Sequence, residues 1–357
     1  MRYFMPTLLY SEENCVMGHA AELAALGRHA LIVTGKSSSR KNGSLEDVIN
    51  ALSSQGRDYT VFDRVEENPS VETVMECRDL GIACGADMVI GVGGGSPLDA
   101  AKAAALMMRH PDKGWEFMYE SDENDRVPLA AVPTTCGTGS EVTAVSVITR
   151  HDLGTKGSIR QKLFPDLALS DGKYLLNAPA SVIRNTAVDA LSHLLESGLN
   201  SGADDFSDMT VFAGLDMWKR CRPYIEGEKD LDGRAAQMLM NASSFAGMAI
   251  AQHGTAIPHA LSYLLTYEGG IPHGAAVGAF QAGYMSFADA DRQKALLSAA
   301  GLGDCEELRD LINRLCPVSV SREILEKTAQ VVLANPAKLA TSPYPIDEKT
   351  MAKIIDI

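Results

Sequence analysis

No stretch of the chain approaches the run of about 18 apolar residues that a membrane-crossing helix needs. The amino terminus also lacks a basic region followed by an apolar one, so a cytoplasmic location, away from membranes, is the expectation. The seven cysteines are odd in number, scattered and without a Cys-x-x-Cys pair. That pattern argues against a disulfide framework or a zinc-thiolate site and suits reduced thiols. Positive charge is scarce as well: 32 Lys and Arg face 46 Asp and Glu, for a formal net charge of −14. Such a surface repels nucleic acid and anionic membranes, so a polyanionic ligand must be held by a local cluster. Neither a G-x-G-x-x-G fingerprint nor a P-loop is present, and there is no internal repeat or low-complexity tract.

What is present points first to a metal. Asp189 and His193 are four apart in AVDALSHLLES, whose apolar residues recur at helical spacing, so both side chains leave one helix face. An isolated pair at that spacing also occurs as a surface hydrogen bond. Two more imidazoles strengthen the metal reading: His259 in IPHALSY and His273 in IPHGAAVG. Glu268-Gly269-Gly270-Ile271-Pro272 breaks any helix between them, so they sit on different elements. One carboxylate with three imidazoles is a borderline-hard donor set that suits Fe(II) or Zn(II) and leaves positions open for water or substrate oxygen.

A second signal lies at 87–102, which reads as a buried strand, a turn of Gly93-Gly94-Gly95, and a helix with Pro97 at its first position. Three glycines admit an anion close to the backbone N–H groups, and the positive helix end favours a pyrophosphate there. A tight strand-to-helix turn is the alternative reading of the same residues.

With 357 residues the chain suits two domains. Apolar runs at 30–34, 59–62, 88–92 and 129–132 alternate with helical patterns from about Ser44, Val71 and Pro97, which predicts a parallel, doubly wound α/β sheet. Residues 142–150 alternate like a further strand. After Asn177-Ala178-Pro179 the β-branched runs give way to Ala-, Leu- and Met-rich segments that read as all-helical. The expected division is residues 1–176 for a dinucleotide-binding α/β domain and 177–357 for a helical metal-binding domain.

The motifs GGGSPLDAAK, VPTTCGTGSEVT, VDALSH, HALSY and IPHGAAVG occur in the order and spacing of the iron-containing (group III) alcohol dehydrogenases, which the chain resembles from about Met5 to Pro345. Propanediol and butanol dehydrogenases belong to that family. The resemblance implies the same two-domain plan, shared with dehydroquinate synthase. It implies that Asp189, His193, His259 and His273 carry catalysis through the metal, and a homodimer paired through an amino-terminal edge strand at 3–9. It assigns Asn68, Gly94, Gly95, Ser96, Asp99, Thr134, Thr135, Thr138, Thr143 and Lys156 to a nicotinamide cofactor. It places Val145, Ile250, Thr255 and Tyr263 near the substrate, a neutral and largely apolar set that implies a short primary alcohol, diol or aldehyde and, with no arginine among them to clamp a carboxylate, argues against a hydroxy acid. Some relatives have a second histidine where this chain has Tyr263, which puts a proton relay there in doubt. His253 is an extra imidazole, read as relay or as structural.

NAD-dependent relatives often carry an acid at the position of Gly35, where a carboxylate binds the ribose and repels a 2′-phosphate. Here Gly35 is followed by Lys36, Ser37, Ser38, Ser39, Arg40 and Lys41. Three cations and three serines without an acid predict NADP(H) in preference to NAD(H), with Gly35, Ser37, Ser38 and Lys41 as contacts; a solvated loop is the alternative. Two other functions compete. A lyase like dehydroquinate synthase would need a basic pocket and a different ligand set, and a non-catalytic binding protein would have lost a ligand, whereas all four are present.

Overall fold

The computed structural model describes residues 1–120 and 124–357. Its amino-terminal part is built on a six-stranded parallel sheet in the order β1-β8-β5-β4-β2-β3. The strands are β1 Leu8–Ser11, β2 His29–Gly35, β3 Asp58–Val65, β4 Met88–Gly93, β5 Leu129–Pro133 and β8 Leu167–Ser170. A separate antiparallel hairpin joins β6 Val147–Arg150 to β7 Thr155–Ser158.

The central strands are apolar on both faces because helices cover both. Leu31, Val33 and Val89 enter one core with the helices Val71–Ala83 and Gly95–Arg109, while Ala30, Ile32 and Ile90 enter the other against Ser44–Ser54. After β3 the chain crosses back to place β4 on the other side of β2. The reversal leaves a crevice at the carboxyl ends of β2 and β4, where open α/β sheets bind ligands.

From Ala180 onward the described residues form helices and no strand. Their shared core, centred on residues such as Leu191, Leu215, Trp218 and Ala246, is separate from the two sheet cores. The architecture is therefore an α/β domain with a doubly wound sheet, followed by a helical domain.

Three local expectations need correction. Residues 142–150 are not one strand: Ser140–Val142 is a 3-10 turn and only Val147–Arg150 pairs. Side chains of the helix Gly95–Arg109 take the missing partners' place, since Lys102 Nζ donates to Val145 O at 2.8 Å and Asp99 Oδ2 accepts from Val147 N at 2.9 Å. The first strand is Leu8–Ser11 rather than 3–9. Pro6 has no N–H to give a ladder, and the backbone of Phe4 is taken by the Gln252 side chain in the helical domain. Pro97 is the third residue of its helix, which begins at Gly95; there its absent N–H is one that no helical carbonyl would have met.

Candidate active site

Asp189 and His193 lie one turn apart on the buried helix Ala180–Leu199. His259 is the third residue of the helix Ile257–Tyr267, and His273 opens the helix His273–Gly278. Gly274 lets that last helix close on its neighbour: a Cβ there would sit 1.8 Å from Asn185 O, four residues before Asp189. The His-Gly pair is thus a packing requirement as well as a ligand signal.

All three imidazoles converge on one oxygen. Asp189 Oδ1 is 3.5 Å from His259 Nε2, 3.6 Å from His273 Nε2 and 3.9 Å from His193 Nε2. These separations exceed hydrogen bonds but suit neighbouring ligands of one ion, since two bonds of about 2.1 Å at a tetrahedral angle span roughly 3.4 Å. The donor atoms of Asp189, His193 and His259 all lie within 4.8 Å of one another. Asp189 Oδ1 and His259 Nε2 are buried and have no hydrogen-bond partner. Orphaned polar atoms that face each other are what a bound cation would satisfy, so the donor set fits a divalent ion.

The outer nitrogens of His193 and His259 are fixed by the protein, whereas His273 Nδ1 is buried without a hydrogen-bond partner. His193 Nδ1 lies 3.2 Å from Gly137 O, and His259 Nδ1 lies 2.6 Å from Glu196 Oε1, so each ring's Nε2 is directed inward. Glu196 is fully buried, accepts from Gln281 Nε2 at 2.7 Å, and through Oε2 accepts from Ala256 N at 2.6 Å. Sequence reasoning missed this carboxylate, although it lies three residues after His193 on the same helix.

The electrostatics follow from crowding one carboxylate among imidazoles. Burial pushes the Asp189 carboxyl up, but His193, His273 and His259 outweigh it and hold the group well below the usual carboxylate range. Burial brings His273 down to about 3 and also lowers His193. Burial acts the same way on His259, yet Glu196 and Asp189 raise it to about 9.

A cavity of about 440 Å³ runs from this cluster to the helix start at Gly95 and Ser96. Asn68, Asp99, Thr138, Thr143 and Lys156 line its sheet side, and Val145, Ile250, Thr255 and Tyr263 also face it. The glycine turn is close-packed: Gly93 has φ 149°, and a Cβ on Gly95 would meet Thr138 Cγ2 at 2.7 Å. A Cβ on Gly94 would meet Thr135 Cγ2 at 3.1 Å, and Thr134 N donates to Gly93 O at 2.9 Å, so the two loops form one wall.

Several expected cofactor contacts are engaged within the protein. Asp99 accepts from Ser140 Oγ at 2.7 Å and from Val147 N, Ser96 Oγ accepts from Asn68 N at 3.0 Å, and Asn68 Oδ1 accepts from Lys156 Nζ at 2.9 Å. Gly35 ends β2, and Ser37, Ser38 and Lys41 follow it at the crevice, outside the lining of this cavity. In that cluster Ser39 is buried and bonded to Thr34 Oγ1, and Arg40 pairs with Asp63 at 2.8 Å. Two of the six polar residues expected to meet a phosphate are therefore committed elsewhere.

Sequence reasoning also missed two cations. Lys102 is buried under the TTCGTGS loop, bonded to Ser140 Oγ at 2.7 Å and Thr143 Oγ1 at 3.2 Å; burial brings it down to about 8 against the pull of Asp99 and Glu141. Lys338 lines the cavity from the helical side.

Two family models match, one described as iron-containing alcohol dehydrogenase over residues 6–172, the other as the carboxyl-terminal part of the same family over 183–356. The NADPH-dependent butanol dehydrogenase of Clostridium saccharobutylicum is 30% identical over 77% of this chain and 71% of its own length. A sulfoacetaldehyde reductase of Bilophila wadsworthia is 32% identical over 70% of this chain and 65% of its own length. The crystal structure of an iron-containing alcohol dehydrogenase from Thermotoga maritima superposes with a TM-score of 0.91 at 34% identity, over 99% of this chain and 98% of that one.

Proposed function

The chain belongs to the iron-containing alcohol dehydrogenase family, and from that premise we propose that it moves hydride between NADP(H) and a small primary alcohol, diol or the matching aldehyde. The observation that carries the reading is the convergence of three imidazoles on Asp189 Oδ1 with orphaned, inward-directed donor atoms. Asp189, His193, His259 and His273 would hold the ion, Fe(II) by family and Zn(II) as a substitute. When bound, it supplies a Lewis acid that makes an alcohol hydroxyl more acidic or polarises a carbonyl.

The remaining roles belong to the protein. Gly94, Gly95 and Ser96 at a helix amino terminus suit a pyrophosphate, and the wall of Thr134, Thr135, Thr138 and Thr143 closes over the ring end. Asn68 and Lys156 hold each other on the sheet side of the cavity, where Lys156 can receive the ribose and Asn68 the adenosine half. Asp99 acts by positioning Ser140 and β6. Val145, Ile250, Thr255 and Tyr263 bound the substrate space and exclude water from the reacting carbon. Burial pushes the Tyr263 hydroxyl up to about 12, so it can donate a hydrogen bond at neutral pH but is a poor base.

The NADP(H) preference rests on Gly35, Ser37, Ser38, Lys36 and Lys41, and agrees with the NADPH in the name of the Clostridium relative. We also propose a cytoplasmic homodimer, by family resemblance; among the described residues β1 pairs with β8 alone, which leaves one sheet edge open for a second copy, and no helix is long and apolar enough to cross a membrane.

The experiment is a panel of alcohols and aldehydes assayed with both cofactors, alongside metal analysis of the wild type and His259→Ala. Turnover that survives the loss of bound metal in the variant would sink the proposal.

A further inference from the structure

We propose that the substrate carries an anionic group, a carboxylate or a sulfonate, and that Lys338 binds it. The inference rests on the oxidoreductase reading and names the substrate class of the same cavity.

Lys338 lies on the short helix Pro336–Leu339, and its side chain reaches the cavity wall beside Thr255 and Thr341. Its Nζ donates to Thr255 O at 2.5 Å and to Thr255 Oγ1 at 3.2 Å. Both acceptors are neutral, and an ammonium has three protons to give. Among the described residues no carboxylate lies within 4.0 Å of it.

Glu196 acts on Lys338 through the field, but its oxygens are already committed. Oε1 is held by His259 and Gln281, and Oε2 by the N–H of Ala256. A cation drawn out of water without a counterion is costly, and an anion entering the cavity would supply one.

The other lysine of the cavity is differently placed. Lys156 is bonded to Asn68 on the sheet side and lies 5.8 Å from the Tyr263 ring centre. Lys338 instead holds the residue that precedes Ala256, three positions before His259. Lys338 and the three imidazoles line one cavity of about 440 Å³, so one small molecule inside it would meet both the Asp189 cluster with its oxygen and Lys338 with its charged end. The neutral lining of Val145, Ile250 and Tyr263 would surround the carbons between.

The test compares kcat/KM for 4-hydroxybutanoate, 3-hydroxypropane-1-sulfonate and 1-butanol in the metal-loaded wild type, Lys338→Met and Lys338→Arg. The expected result is a preference for at least one anion over 1-butanol of about tenfold or more, a difference of about 1.4 kcal/mol. That ratio should collapse in Lys338→Met and largely return in Lys338→Arg, a rescue that a purely structural lysine would not show through substrate charge. Which anion is preferred identifies the headgroup. Calorimetric titration of the same three compounds into the zinc-loaded protein with NADPH bound, a combination that cannot turn over, reads the binding alone.

Equal kcat/KM for charged and neutral substrates in the wild type overturns the proposal without any variant. So does a preference that Lys338→Met leaves intact. Failure of every alcohol and aldehyde to turn over, with Lys338-dependent anion binding still seen by titration, overturns the oxidoreductase reading and retains Lys338 as an anion site.

Discussion

His259 Nδ1 lies 2.6 Å from Oε1 of Glu196, a carboxylate with no solvent exposure seven residues after Asp189 on the same helix. The bond turns Nε2 of the ring toward Asp189 and makes the imidazole a stronger donor. Removing such a partner from a metal-binding histidine typically weakens metal affinity about 10- to 100-fold. Glu196→Gln, which keeps the volume and loses the charge, should weaken zinc retention by that factor in a chelator competition. Unchanged affinity would reduce Glu196 to a packing role.

Gly274→Ala tests how the helix His273–Gly278 is seated. The new methyl cannot coexist with Asn185 O at 1.8 Å, so the helix must shift away from Ala180–Leu199 and take His273 with it. Overpacking of this kind costs about 1 to 3 kcal/mol. A lower urea midpoint together with reduced metal content is expected; a variant normal in both would show that the backbone yields without moving the ligand.

Cofactor choice can be tested at Gly35. A Cβ there meets only Val65 O at 3.5 Å, an ordinary contact, so Gly35→Asp should fold. Its carboxylate would face the 2′-phosphate and weaken NADPH by roughly 1 to 3 kcal/mol, while NADH loses little. The readout is the ratio of kcat/KM for the two cofactors at fixed ionic strength. A wild type that prefers NADH, or a ratio that does not move, refutes the assignment.

The cysteines should behave as shielded thiols. Cys15, Cys77, Cys136, Cys221 and Cys316 are buried, and burial pushes Cys136 up to about 11. Only Cys84 and Cys305 are partly accessible, and burial raises Cys305 to about 11 as well. A disulfide exchange reagent at pH 8 should therefore label Cys84 first and at most two sites in the native protein, against seven after denaturation. Rapid native labelling of Cys136 would contradict the packing of the TTCGTGS loop.

The legible parts of the site were those encoded within one turn or one loop. Asp189 and His193 announce themselves by helical spacing, and Gly93, Gly94 and Gly95 by a strand-to-helix turn. Glu196 carried a weak local signal, three residues after His193, but a buried glutamate cannot be told from an exposed one without its neighbours. Lys338 carried none, because its place in the cavity depends on contact with Thr255, 83 residues earlier in the chain.

By itself the sequence determined the alternation of strands and helices, the helical second half and the Asp189–His193 pair, because hydrophobic period and short-range spacing are properties of local chain geometry; His259 and His273 joined that pair through the motifs shared with the family. Only the tertiary structure decided which backbone groups need a strand partner. Val145 found its partner on Lys102 and Phe4 on Gln252, so two expected strands shortened. Tertiary packing likewise brought Asp189, His193, His259 and His273 around one point, and Lys338 to the cavity they border. Burial then set the charges, since the desolvation and neighbouring fields that move a pKa exist only when distant segments close around the group.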